Sequence, residues 1–350
     1  MKKCFKINNI KIGEGGKTFI IAEMSANHLQ DYGRAIEIIK MAKWAGADAI
    51  KLQTYTADTI TIDCDNEYFQ ITQGTIWDGT TLHKLYQEAY IPWEWQPKLK
   101  KIAEEEGLIC FSSPFDKTAV DFLEEMDVPV YKIASFEITD IPFIEYVASK
   151  GKPVIISTGI ATLSDIEEAV NACIRMGNNQ IALLKCTSAY PAPVEEANLI
   201  TIPNMAETFN VITGLSDHTL GSAVSVGAVA LGAKIIEKHI TLSRADEGPD
   251  AAFSMEPHEF KQMVDDIRNV EKALGTVSYA LTEKQRNSRQ HSRSLFVVKD
   301  IKEGEEFTED NIKSIRPGFG MKTKYIRDVI GKKASCDISK GTPMNWKFIK

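Results

Sequence analysis

The chain has 350 residues, 43% of them hydrophobic and 25% charged, the make-up of a soluble globular protein with room for one large domain and a small one. A net charge of −7 with no Lys/Arg block argues against a nucleic-acid surface, and the longest apolar stretch, near 223–233, is too short to span a bilayer. The first residues, MKKCFKINNIKIGEGGK, have no apolar segment behind their lysines, and the six cysteines show no C-x-x-C spacing, so a cytoplasmic protein with reduced thiols is expected.

From Phe19 onward one pattern repeats: a short apolar run ends in polar residues, and an amphipathic helical segment follows. The runs are FIIAEMS (19–25), AIKLQT (49–54), LICFSSPF (108–115), PVYKIAS (129–135), PVIISTG (153–159), IALLKCTS (181–188), VITGLSDH (211–218) and KIIEKHIT (234–241). Near-continuous apolar strands alternating with helices predict a parallel sheet covered on both faces. Eight such units over about 250 residues predict an α/β fold, a closed (β/α)₈ TIM barrel. The runner-up, an open doubly wound sheet, lacks a Gly-x-Gly-x-x-Gly after its first strand.

Active sites in such barrels lie at the C-terminal strand ends. Those ends here carry Glu23, Lys51, Gln53, Ser112, Ser113, Lys132, Ser135, Ser157, Ser188, Ser216, His218, Lys238 and His239. A lysine inside an apolar run loses several kcal/mol of hydration, roughly, unless an anion or a structural carboxylate meets it. His218 and His239 occupy matching places on successive runs, so in a parallel sheet both imidazoles reach toward one point and suit a divalent metal.

Between Thr54 and Pro92 lies a long polar and aromatic insertion, of the kind that forms a lid or substrate wall. Tyr55, Tyr68, Phe69, Trp77, Tyr86 and Tyr90 either stack on a sugar face or pack the insertion down. After Gly275 the segment TEKQRNSRQHSRS reads as a linker (276–294), and 295–350 as a small β-rich unit with a repeated Asp-Ile-x-x-Gly, at Asp300–Gly304 and Asp337–Gly341. The barrel domain, with its N-terminal extension, is expected to span 1–275.

The set IAEMSANH, IKLQT, YKIAS, ISTG, GLSDHT and EKHIT, in this order, resembles the sialic acid synthase family, and the tail resembles that family's antifreeze-protein-like (SAF) domain. Within the family, TYTADTITID, LYQEAYIPWEW, KCTSAYPAP and GPDAAFSMEP are similar to the branch whose product is pseudaminic acid. The resemblance implies a barrel enzyme that condenses phosphoenolpyruvate with an N-acylated amino sugar, uses Mn²⁺ or Mg²⁺, and acts as a domain-swapped homodimer. It implies His218 and His239 as metal ligands and catalytic residues, and Glu23 as the acidic residue at the reacting centre. It implies phosphoenolpyruvate contacts from Lys51, Lys132, Ser135, Ser157, Ser188 and Ser216, although N-acetylneuraminate-type members carry Asn at the position of Ser188. Gln53, Ser113, Tyr190 and Asp250 match positions near the sugar, and Arg316 matches an arginine delivered by the partner subunit. The chain departs from the N-acetylneuraminate type after GPD, where it lacks the histidine often found there. Competing expectations are an N-acetylneuraminate or legionaminate synthase, a metal-dependent barrel hydrolase, and an inactive sugar-binding protein. The hydrolase would need more metal ligands and has no use for several anion-binding lysines.

Overall fold

The computed structural model describes residues 4–72, 74 and 76–350. It divides into two compact units, Met1–Gly275 and Thr276–Lys350. No helix among the described residues is long and apolar enough to cross a membrane.

The chain opens with an antiparallel hairpin, β1 (Cys4–Ile7) and β2 (Ile10–Gly13). The eight expected runs follow as strands: β3 (Phe19–Glu23), β4 (Ala49–Thr54), β5 (Ile109–Pro114), β6 (Tyr131–Ile133), β7 (Val154–Ser157), β8 (Ile181–Cys186), β9 (Ile212–Asp217) and β10 (Ile235–His239). They form a closed parallel barrel in which β10 pairs with β3. Several of the helices between them begin at polar caps that hold the first free backbone N–H groups. Asp31 accepts from Arg34 N at 2.9 Å, and Asp116 from Ala119 N at 3.0 Å.

The period of two along each strand decides what reaches the barrel interior. Phe19, Ile21 and Glu23 of β3, Ala49, Lys51 and Gln53 of β4, and Ile235, Glu237 and His239 of β10 share the inner face. Their neighbours Ile20, Ile50, Leu52 and Ile236 pack outward, in one core with Ile38, Ile39, Leu99, Val224 and Met263 of the helices. The inner residues are apolar at the start of each strand and polar at its end. Phe5, Ile7 and Ile12 of the hairpin share a core with Phe19 and Ile109, so the N-terminal end of the barrel is filled with apolar side chains.

Lys238, on a strand end like Lys51 and Lys132, does not share their environment. It faces outward, where its Nζ donates to Asp217 Oδ2 at 2.8 Å and to Thr219 O at 2.6 Å. Ser225 Oγ donates to the same carboxylate oxygen at 2.6 Å. Ser112 faces outward as well, 2.6 Å from Thr54 Oγ1, which in turn donates to Gln96 at 2.7 Å. The strand period sends both away from the interior.

The second unit contains the antiparallel pair β11 (Ser294–Val297) and β12 (Ile312–Ile315) around Leu295, Val297, Ile301, Phe307 and Met344. Its repeated motif forms two interlocked halves. Ile301 and Ile338 pair across an antiparallel bridge. Asp337 accepts from Glu303 N at 2.9 Å, and Asp300 accepts from Lys340 N at 2.7 Å. Within the stretch read as a linker, Thr282 and Gln285 cap a short helix, Glu283–Ser288.

Candidate active site

Strand register brings distant residues together at the C-terminal end of the barrel. Glu23 lies opposite both Lys51 and His239, Gln53 opposite Ser113, and Glu237 opposite Ser216. Lys51 and Lys132 are 3% and 2% exposed, too little for water to solvate either ammonium. Carboxylates do it instead. Lys51 Nζ contacts Glu23 Oε2 and lies 3.8 Å from Glu237 Oε1, while Lys132 Nζ lies 3.4 Å from that same oxygen. Ser113 Oγ, 3.2 Å from Lys51, and Ser216 Oγ, 3.1 Å from Glu237, complete the cluster.

The two acids are tuned in opposite directions. Burial pushes the Glu23 carboxyl up to about 7, against the pull of Lys51 and with the added repulsion of Glu237. Burial also pushes Glu237 up, but Lys132 and Lys51 outweigh it and hold that carboxyl below its ordinary range. Glu237 is therefore the carboxyl held as the anion of the cluster, and Glu23 the one shifted toward neutrality.

The Gly159 backbone lies directly against the hydroxyls of Ser135 and Ser188. A Cβ there would lie 2.1 Å from Ser188 Oγ and 2.7 Å from Ser135 Oγ, so only glycine lets these hydroxyls approach the backbone so closely. Gly159 N donates to Ser135 Oγ at 3.1 Å. Ser157 Oγ and Ser188 Oγ are buried without a hydrogen-bond partner. Two lysines and unpartnered hydroxyls form a suitable cradle for a small multiply charged anion.

Above the cluster lies a cavity of about 690 Å³, whose lining includes Gln53, Ser135, Tyr190, His239 and Asp250. Gln53 Nε2 donates to Glu23 Oε1 at 3.2 Å and to Ser25 Oγ at 3.0 Å. Ser25 Oγ in turn donates to Asp250 Oδ2, and Ala26 N reaches the same oxygen at 3.3 Å. The His218 and His239 rings lie 5.3 Å apart, with Tyr190 4.4 Å from His218 and Phe253 4.9 Å from His239.

The NeuB family model matches residues 38–279, and the SAF domain model matches 292–350. The chain belongs to the NeuB family. A pseudaminic acid synthase of Campylobacter jejuni is 48% identical over 93% of this chain and 94% of its own length. One from Helicobacter pylori is 45% identical over 93% and 96%. Among solved structures, the N-acetylneuraminic acid synthetase of Leptospira borgpetersenii, in complex with citrate, is 32% identical, with a TM-score of 0.73 over 82% of this chain and 95% of that one.

In this NeuB-family chain the barrel end gathers Glu23, Lys51, Gln53, Ser113, Lys132 and Ser216 in one network. Ser135, Tyr190, His239 and Asp250 line the cavity, His218 lies against Tyr190 and His239, Ser188 lies against Gly159, and Ser157 is buried at the end of β7. Arg316 belongs to the second unit, where it is exposed at the end of β12. Its loop is held by Gly318 N donating to Gln290 O at 2.8 Å and Gly320 N donating to Ser294 Oγ at 2.9 Å. Reading from the sequence missed Glu237, Glu137 and Cys186. Glu237 was legible in principle, two residues before His239 on the same strand face. Glu137 lines the cavity, and burial pushes it up to about 7. Cys186 Sγ lies 3.8 Å from His218 Nδ1.

The histidine pair has the donor chemistry a divalent ion needs. His218 Nδ1 lies 3.0 Å from Thr187 O, a carbonyl that only accepts, so Nδ1 carries a proton and Nε2 is the nitrogen that would ligate an ion. His239 is buried beside His218, Lys51 and Lys238, which holds its imidazole neutral, and its Nδ1 has no hydrogen-bond partner. Among the described residues, no group of three or more His, Cys, Asp and Glu is arranged to hold a metal.

Proposed function

We propose that this protein is a pseudaminic acid synthase, condensing phosphoenolpyruvate with 2,4-diacetamido-2,4,6-trideoxy-β-L-altropyranose and water to give pseudaminic acid and phosphate. The observation that carries this reading is the buried pair Lys51 and Lys132, converging on Glu237 at the barrel end that also carries buried serine hydroxyls and a sugar-sized cavity. The identities of 45–48% to pseudaminic acid synthases support the choice of sugar.

Phosphoenolpyruvate carries up to three negative charges, so its carboxylate and phosphate are the natural partners of Lys51, Lys132, Ser135, Ser157, Ser188 and Ser216. Gln53, Ser113, Tyr190 and Asp250 orient the open-chain sugar above it. Carbon 3 of the enol attacks the aldehyde, water adds at carbon 2, and the tetrahedral intermediate expels phosphate by C–O cleavage. The sugar oxygen gains a proton and the added water loses one, and Glu23, poised near neutrality, is the group placed to move them. His218 and His239 would hold the divalent ion, Mn²⁺ or Mg²⁺, which when bound would supply Lewis acidity toward the aldehyde. The active form is a domain-swapped homodimer in which Arg316 of one protomer serves the sugar's N-acyl group in the other.

Purified protein supplied with phosphoenolpyruvate and, in turn, the diacetamido-trideoxy-altrose, its legionaminate-type isomer and N-acetylmannosamine distinguishes the readings. Mass spectrometry is expected to show the nine-carbon acid with the first sugar, with phosphate released only when both substrates are present. Phosphate release from phosphoenolpyruvate alone, or a preference for either of the other sugars, overturns the assignment.

A further inference from the structure

The polar residues of the cavity come from the strand ends, whereas the facing wall comes from the insertion after β4. Its helix Leu82–Ala89 presents Leu82, Leu85, Tyr86 and Ala89 to the cavity, spaced i, i+3, i+4 and i+7 along one face. Such a stripe ordinarily packs into a core. Leu82 and Leu85 instead belong to neither apolar core of the barrel unit and remain half-buried. Ile60 and Ile71 extend the same apolar surface.

Polar bonds fix this wall in place. His83 Nε2 pairs with Asp58 Oδ1 at 2.9 Å, Trp77 Nε1 donates to Pro249 O at 2.9 Å, and Gln30 Nε2 donates to Glu88 O at 3.1 Å. The wall is thus preformed. Its aliphatic part, Leu82, Leu85, Ile60 and Ile71, offers a hydroxyl no partner, while Tyr55 and Tyr86 supply the polar atoms of the same side of the cavity.

We propose that Leu82 and Leu85, with Ile60 and Ile71, are specificity-determining residues that accept the carbon-6 methyl of a 6-deoxy sugar. The proposal rests on the reaction assigned above, because that reaction fixes which end of the sugar points where. Carbon 1 must reach Glu23 and the phosphoenolpyruvate held by Lys51 and Lys132 at the strand ends. Carbon 6, at the other end of the six-carbon chain, is then directed away from the strand ends and toward the insertion. A methyl there buries apolar surface, whereas a hydroxyl loses its water without gaining an acceptor. An apolar pocket discriminates against an added hydroxyl by roughly 10- to 100-fold, not by many orders of magnitude.

The test compares the 6-deoxy sugar with its 6-hydroxy counterpart, identical in configuration and in both acetamido groups. Binding is read from intrinsic tryptophan fluorescence of the full-length protein and turnover from phosphate release. Wild type is expected to bind the 6-deoxy sugar about 10- to 100-fold more tightly. Leu85→Asn and Leu82→Asn are each expected to cut that preference to under about 5-fold while leaving the KM for phosphoenolpyruvate unchanged. The unchanged KM separates a local effect from loss of fold. Equal binding of the two sugars by wild type, or an undiminished preference in both variants, overturns the proposal. Preferential binding without turnover would instead overturn the assigned reaction while upholding the methyl pocket.

Discussion

Glu237 is the residue on which the charge balance of the barrel end depends. It lies within 4 Å of both buried lysines and accepts from Ser216, and its second carboxylate oxygen has no hydrogen-bond partner. Converting it to Gln keeps the shape and deletes the charge that both ammonium groups share. Removing one partner of a buried ion pair costs about 3–5 kcal/mol, because the remaining charge has no water to turn to. Glu237→Gln is therefore expected to melt well below wild type. An anion bound between Lys51 and Lys132 replaces the missing charge, so phosphoenolpyruvate should raise the melting temperature of the variant by more than it raises that of wild type. Thermal melts with and without phosphoenolpyruvate check this. Equal ligand-induced shifts in the two proteins would show that the anion does not bind at this cluster.

At the scale of single strands, one lysine pair shows what the sequence conveys and what it withholds. All eight strands were legible, because apolar runs ending in polar residues recur with helices between them. The two interior lysines were legible as well, since a cation inside such a run needs an anion. Lys238 carries the same signal in the same kind of run, yet the period of two sends it outward to Asp217. Telling the cases apart requires knowing which of two alternating faces is interior. His239 supplies that one residue later, and the same count would have found Glu237. The packing of two serine hydroxyls on Gly159 was beyond reach, because Ser135 and Ser188 meet there from β-strand ends far apart in the chain. The outward assignment of Lys238 has its own test. Lys238→Met alone strands the Asp217 carboxylate and is expected to destabilise by about 3–5 kcal/mol, whereas the double variant Asp217→Leu, Lys238→Met recovers much of that loss. Chemical denaturation of the four proteins of the cycle measures the coupling. Additive losses would remove the pair as the clamp between β9 and β10.

For the molecule as a whole the open issue is what the second unit contributes, and Arg316 makes it answerable. The arginine is exposed, it follows β12 directly, and its loop is held by Gly318 and Gly320. A Cβ at Gly320 would fall 2.2 Å from Leu295 O, so the loop path admits no larger residue. An arginine on a well-held loop, making no ion pair among the described residues, is suited to meet a polar group outside its own unit. If it acts across a swapped dimer, two inactive chains repair one another. In a hybrid of His239→Ala with Arg316→Ala, the barrel that keeps His239 receives Arg316 from its partner, while the other site lacks both. Random pairing on co-expression then restores about a quarter of wild-type turnover, from parents that each have little. If Arg316 serves its own barrel, every site in the mixture lacks one of the two groups and turnover stays at the parental level. Phosphate release from the co-expressed mixture, compared with the two purified parents combined without subunit exchange, decides between the arrangements.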